Sequence, residues 1–475
     1  MVFSSESFLF LFLPAFLAAY YLTPFRWKSL TILLFSWGFY GWWRMDFLGL
    51  LIATTAFAYL VGLRIGRAPQ GSPQARLWLT IGVAGCLLVL GVFKYLNFFI
   101  DSLAWTFGTT PEGMGVHWRL ILPIGISFYI FQSLSYLIDV YRRDVPPTTR
   151  FLDFAAFIAL FPQLIAGPIL RFKDLADQFI DRRHSPQIFA DGFALFLLGL
   201  AKKVLLADTV APLADLAFTT PDPSFLLSWL GAVAYTLQLY FDFSGYSDMA
   251  CGLGLMIGFR FINNFDTPYV SRSITEFWRR WHISLSVWLR DYLYIPLGGN
   301  RHGTTRTYAN LMTVMVLGGL WHGANWTFLL WGAWHGGWLA LERATGLAKD
   351  RSTTGLLRTL VIVMLGWVAF RAATVTDAFH VYAGLAGANG FGLSPDLALA
   401  ISAESLLFLT IGLLAAAAEP ALRDTVQRAW FTPNGDGTLS ASRSLLPSLG
   451  LAALATLSIM KLAEQSFSPF LYFQF

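Results

Sequence analysis

Charge is scarce in this chain. Asp, Glu, Lys and Arg make up 13% of its 475 residues, about half the share that a soluble domain carries. Cysteine is nearly absent, and Cys86 and Cys251 lie far apart inside apolar runs. That excludes a disulfide framework and a Cys-ligated metal site and leaves two buried, inert thiols as the expectation. The excess of 33 basic over 28 acidic residues is only +5, and no Lys/Arg stripe is interleaved with aromatics, which excludes nucleic-acid binding. There is no His-Glu-x-x-His, no Gly-x-Ser-x-Gly and no phosphate-cradling Walker loop. Neither a repeat of solenoid period nor an interdomain linker is present, so a single domain over residues 1–475 is expected.

Apolar sequence is what the chain has. Ala, Val, Ile, Leu, Met, Phe, Trp, Tyr and Cys reach 56%, and replacing Tyr by Gly in that count gives roughly 61% against about 45–50% for a globular average. Charge-free runs approach or reach the span of a bilayer, so the fold class is an all-α integral membrane protein with about ten or more transmembrane helices. Candidate spans are 7–25, 29–43, 47–63, 77–93, 120–138, 225–241, 307–341, 359–370, 405–418 and 444–460. Glu6 stands where a signal peptide would carry basic residues, so the first run reads as an uncleaved helix. Basic clusters recur every second loop: Arg26 and Lys28, then Arg64, Arg67 and Arg76, then Arg142, Arg143 and Arg150. The positive-inside rule makes these loops cytoplasmic and the N-terminus external.

Residues 154–170 break the alternation, because Arg150 precedes them while Arg171, Lys173, Arg182 and Arg183 follow. With Pro162, Gly167 and Pro168 inside, the segment reads as re-entrant, since broken backbone is tolerated at membrane depth where protein buries it. The short runs 192–201 and 249–259 read as half-helices of the same kind. Residues 387–394 and 433–442 read as loops.

Ionisable residues inside apolar runs are costly and so have a partner or a task. Asp242 and Asp248 flank Ser244, Gly245 and Ser247, which reads either as a polar turn or as a carboxylate orienting a histidine or a basic residue. Between Arg260 and Arg306 seven arginines face three acids, either a topogenic loop or a seat for a phosphate-bearing donor, since guanidinium pairs phosphate well. Residues 307–341 carry no charge and as one helix would run about 52 Å, longer than any bilayer, so this run must break. Leu317-Gly-Gly-Leu-Trp-His-Gly-Ala-Asn325 supplies the glycines for the break. His322 therefore falls at an interrupted helix, in the membrane interior or at one face if the halves form a hairpin. His335 would lie about 140° from it on an unbroken helix and could not share its ligand. An imidazole buried near His322 or His282 is a base for activating a hydroxyl in acyl transfer. His335 and His380 read as structural.

These segments together resemble the membrane-bound O-acyltransferase family, and its bacterial branch of alginate O-acetyltransferase membrane subunits. The resemblance runs through Met1-Val-Phe-Ser-Ser5, Leu122-Pro-Ile-Gly-Ile-Ser-Phe-Tyr129, Pro162-Gln-Leu-Ile-Ala-Gly-Pro168 and Tyr240-Phe-Asp-Phe-Ser-Gly-Tyr-Ser-Asp248. It is strongest in Glu276-Phe-Trp-Arg-Arg-Trp-His282, Leu320-Trp-His-Gly-Ala-Asn325 and Ser466-Phe-Ser-Pro-Phe-Leu-Tyr-Phe-Gln-Phe475. It implies a helical bundle with half-helices around a central funnel and a catalytic core over about residues 120–345. It further implies His322 as catalytic base and His282 as the second active-site position. Arg279, Arg280, Arg290, Asn325, Trp321 and Asp242 are candidate donor-binding or supporting residues, with no metal and no bound cofactor.

The implied donor is acetyl-CoA at the cytoplasmic face of a bacterial inner membrane, within membrane lipid. The implied partners are a periplasmic acetyltransferase and polysaccharide export machinery, with alginate, cellulose, peptidoglycan or teichoic acid as the polymer. The competing classes are a transporter, which would show an inverted repeat with matching interrupted helices, and an export subunit without chemistry of its own, for which His322 would be dispensable.

Overall fold

A computed structural model describes residues 2–433, 439–441, 445–464 and 470–471. They form helices almost throughout, with one antiparallel pair of three-residue strands, Phe431–Pro433 and Leu439–Ala441. The chain divides into two compact units, Met1–His184 with Ile257–Phe261, and Ser185–Met256 with Ile262–Phe475. Four helices among the described residues are long and apolar enough to cross a membrane: Met45–Arg67, Pro73–Thr106, Thr353–Arg371 and Ala403–Ala421. Of the other runs expected to span, some are short helices, as in Lys28–Gly41 with its 14 residues, and others lie within longer ones, as in Phe225–Met256 and Leu445–Glu464. Hydropathy marks where a segment is apolar, whereas tertiary packing decides where its helix starts and stops.

In the first unit, the re-entrant reading of residues 154–170 matches the path of the chain. Helix Phe151–Ala159 descends, breaks at Leu160 and turns through Phe161–Leu164. Its tip lies where a Cβ on Gly125 would meet the carbonyl oxygen of Leu164 at 2.5 Å, beside the N-terminal end of helix Ile126–Arg142. The chain then returns, and Lys173 pairs with Asp139 at 3.1 Å and Asp144 at 3.2 Å at that helix's other end. Burial in a cage of Phe3, Phe8, Phe12, Phe16 and Phe39 around Phe161 shields the broken backbone from lipid.

The basic loops also converge. The Arg143 guanidinium donates to the carbonyls of Gly66 at 3.0 Å and Ala68 at 2.5 Å, and Arg182 lies 5.3 Å from the Phe25 ring centroid. Loops spaced two spans apart in sequence thus share one end of this unit.

In the second unit, the two expected half-helices are parts of longer ones. Residues 192–201 end helix Pro186–Ala201, which continues through a wider-wound turn, Lys202–Ala207, into Asp208–Thr219. Residues 249–256 end the 32-residue helix Phe225–Met256, and Asp242 to Asp248 are helical rather than a turn. The reason is a close helix crossing. A Cβ on Gly199 would stand 2.4 Å from the Gly245 carbonyl oxygen, and one on Gly252 would stand 2.5 Å from that of Gly192. Glycines seven residues apart on both helices let the backbones touch, and the polar groups between them find partners on the opposing helix.

The charge-free run breaks as its length requires, at Gly323–Asn325, into helices Gly303–His322 and Trp326–Thr345. They fold back as a hairpin: a Cβ on Gly319 would stand 2.2 Å from the Phe328 carbonyl oxygen, and one on Gly332 would stand 2.4 Å from that of Met315. Asn325 caps the second arm by accepting from the Thr327 N–H at 3.2 Å. Near that arm's far end Glu342, fully buried, accepts from the backbone N–H groups of Ile274 at 2.6 Å and Thr275 at 2.9 Å. Those are two of the free donors opening helix Ile274–Arg280. A carboxylate there opposes the positive end of the helix, and the helix so held delivers the chain to His282.

Candidate active site

His282 joins two seven-residue helices, Ile274–Arg280 and Ile283–Leu289, each about 10 Å long and too short to cross a bilayer. Its backbone is left-handed, φ 44° and ψ 55°, a strained state for a residue with a Cβ that persists only where its surroundings impose it. The imposing group is Asn264. Its carbonyl oxygen accepts the Ile283 N–H at 2.9 Å, while its side-chain Oδ1 accepts from the Ser284 N–H at 3.1 Å and the Ser284 hydroxyl at 2.9 Å. The same Oδ1 lies 3.2 Å from His282 Nδ1. Because the Ser284 N–H can only donate, this atom is an acceptor, and it places the imidazole proton on Nδ1. The other nitrogen, Nε2, is left as a bare lone pair, buried and without a hydrogen-bond partner among the described residues. Complete burial pushes the His282 imidazole down to about 3, so it is neutral at physiological pH.

His322 ends the first arm of the hairpin and is 5% exposed. Its ring centroid lies 6.2 Å from that of His282, so the two imidazoles are direct neighbours. Trp321, Trp331 and Phe370 surround it edge-on at 5.1, 5.1 and 5.2 Å. Trp321 also borders His282 at 5.9 Å, and Phe243 meets the His282 ring at 4.7 Å and 89°. Two imidazoles in an aromatic enclosure are the side chains here that can accept a hydrogen bond from, or take the proton of, a hydroxyl.

The remaining sequence candidates separate. Arg280 donates to the Asp266 carbonyl at 3.2 Å and the Thr267 hydroxyl at 3.0 Å and pairs with Glu276 at 3.0 Å, so it braces the loop before His282. Arg279 is exposed, and Arg290 is exposed and paired with its neighbour Asp291 at 2.7 Å. Asn325 is a helix cap whose amide also donates to the Ala373 carbonyl at 2.9 Å. Asp242 does not orient a histidine: its Oδ1 pairs with Lys203 at 2.7 Å and its Oδ2 accepts the Leu471 N–H at 3.0 Å. Asp248 pairs with Lys202 at 2.8 Å.

His335 is fully buried against Phe277, Trp278, Trp331 and Trp367. His380 is exposed beside Asp222 at 2.5 Å. Both thiols are buried. Among the described residues no three His, Cys, Asp or Glu side chains gather as a metal-ligand set. Asn264, Ser284, Phe243 and Glu342 were not legible as site residues. The Asn263-Asn264 doublet in an otherwise aromatic and apolar stretch was the one available signal.

Comparison with known proteins shows which family the chain is similar to. The probable alginate O-acetylase AlgI of Azotobacter vinelandii is 53% identical to the chain over the full length of both, and that of Pseudomonas aeruginosa 48% identical, also over the full length of both. A peptidoglycan O-acetyltransferase of Helicobacter pylori is 38% identical over 83% of this chain and 81% of its own. The family model for membrane-bound O-acyltransferases matches residues 92–382, a span that holds Asn264, His282, His322 and Glu342. With both the histidine pair and its supports inside that match, the chain belongs to the membrane-bound O-acyltransferase family.

Proposed function

We propose that this acyltransferase takes an acetyl group from acetyl-CoA at the cytoplasmic face of a bacterial inner membrane and passes it outward for O-acetylation of an exported polysaccharide, alginate. The observation that carries the reading is the pair of buried imidazoles 6.2 Å apart, one with its tautomer fixed by Asn264. The full-length identity to probable alginate O-acetylases supports alginate over peptidoglycan, whose acetyltransferase is the more distant relative.

In this reading His322 takes the proton of an acceptor hydroxyl, and the oxygen attacks the thioester carbonyl. The C–S bond breaks, and the CoA thiolate recovers the proton from the imidazolium. His282 holds the reacting groups through the Nε2 lone pair. Trp321 walls the site, Arg279 and Arg290 meet donor phosphates, and Arg280 acts by bracing the loop. A periplasmic acetyltransferase and export machinery are the partners that carry the acetyl group on, and the N-terminus is external.

The test is complementation of cells that lack the gene, with the acetyl content of secreted alginate measured by NMR. Wild type restores acetylation, and His322→Ala, present in the membrane at equal amount, does not. Acetylated polymer from the His322→Ala strain contradicts the assignment.

A further inference from the structure

Asp242 and the segment near residue 470 were both singled out in the sequence, and the chemistry above uses neither. The structure brings them together. Lys203, Asp208 and Asp242 are 4%, 8% and 1% exposed, and the one ammonium serves both carboxylates, at 2.6 Å from Asp208 and 2.7 Å from Asp242. Asp242, sharing that ammonium with a second carboxylate, takes a further donor. The Leu471 backbone N–H supplies it, at 3.0 Å from Asp242 Oδ2.

Beside it, the Phe470 ring stacks on Tyr246 at 4.5 Å and contacts Phe243 at 6.0 Å. Phe470 and Leu471 are 2% and 5% exposed. Phe243 is the residue after Asp242 and the ring that meets His282 at 4.7 Å. Phe265 at 5.0 Å and Trp281 at 6.5 Å also border it.

We propose that Phe470 and Leu471 are positioning residues: the Leu471 N–H latches this segment onto Asp242, and the seated Phe470 ring presses Phe243 against His282. The Asp242 cluster is then the receptor for the latch. The role in turnover rests on the catalytic reading of the histidine pair, while the latch itself does not.

The test uses purified full-length protein and two readouts. Leu471→Pro removes the N–H donor, Leu471→Ala keeps it, and Phe470→Ala removes the ring. The first readout is carbethoxylation of individual histidines by diethyl pyrocarbonate, mapped by peptide mass spectrometry, which needs no turnover. In Leu471→Pro and Phe470→Ala, His282 becomes about tenfold more reactive through local opening. Exposed His117 and fully buried His335 stay as in wild type, and in Leu471→Ala, which keeps the N–H donor, His282 reacts as in wild type. The second readout is CoA release from acetyl-CoA with an oligomannuronate acceptor and periplasmic extract present, in which kcat falls on the order of 10²-fold with KM nearly unchanged, as for a displaced catalytic group.

Unchanged His282 reactivity in Leu471→Pro overturns the proposal. So does a parallel rise at His335, which marks general loosening. If wild type releases no CoA, the acetyltransferase reading fails, and the carbethoxylation pattern alone decides the latch.

Discussion

The central device at residue scale is an asparagine that fixes a tautomer. Asn264 Oδ1 accepts from the Ser284 N–H and hydroxyl and from His282 Nδ1, so it both strains the loop into its left-handed turn and leaves Nε2 as the acceptor. Asn264→Ala therefore lowers kcat for acetyl transfer by on the order of 10²-fold, as for a displaced positioning group, measured as CoA release. A second consequence concerns pH. The folded-state pKa of His282 lies below its ordinary 6.5, so the unfolded chain binds the proton first. The stability tied to this neutral imidazole is complete above about pH 6.5 and is lost on acidification, by up to about 1.4 kcal/mol per pH unit. Thermal unfolding followed between pH 7.5 and 5 shows a declining midpoint, and His282→Gln lessens the decline, with the equally buried His335 sustaining the rest. His322 stood out in the sequence because it falls at the glycine break of a charge-free run, and the family resemblance set His282 beside it as a candidate. Asn264 and Phe243 did not stand out, because uncharged residues 18 and 39 positions upstream of His282 become its neighbours only through tertiary packing.

At the scale of elements, the site is a meeting of ends. The hairpin turn presents His322, and the end of a short helix presents His282. Glu342 on the hairpin's second arm ties the two by capping that short helix. Glu342→Ala leaves two buried N–H groups without an acceptor, each costing about 1–3 kcal/mol. The expected result is a lowered unfolding midpoint together with reduced CoA release. Retained stability and turnover would show that helix Ile274–Arg280 is held by other contacts.

The break in residues 307–341 was readable from length alone, since no bilayer accommodates a 52 Å span of about 35 residues. Residues 242–248 misread for a physical reason. Isolated, two carboxylates among Ser and Gly resemble a turn, but Lys202 and Lys203 on the neighbouring helix pair with them and the glycines let that helix close.

For the whole molecule, the alternation of basic loops was legible because topology is written in loop charge. The ends of the individual helices were not, because packing sets where each one starts, breaks and stops. Within the first unit, the convergence of Arg143 on Gly66 and Ala68 and of Arg182 on Phe25 predicts a labelling pattern. In a background with Cys86→Ala and Cys251→Ala, cysteines introduced at Arg67 and Arg183 are protected from an impermeant thiol reagent in intact cells. One at Glu112, beyond the far end of the 34-residue helix Pro73–Thr106, is labelled. Labelling of all three, or of none, contradicts the arrangement.

The most direct test of the account is CoA release by full-length protein reconstituted in proteoliposomes with acetyl-CoA on one side and an oligomannuronate acceptor with periplasmic extract on the other, wild type beside His322→Ala. The account predicts release by wild type and none above background by the variant. Equal release by both would contradict a catalytic role for His322 and with it the central claim.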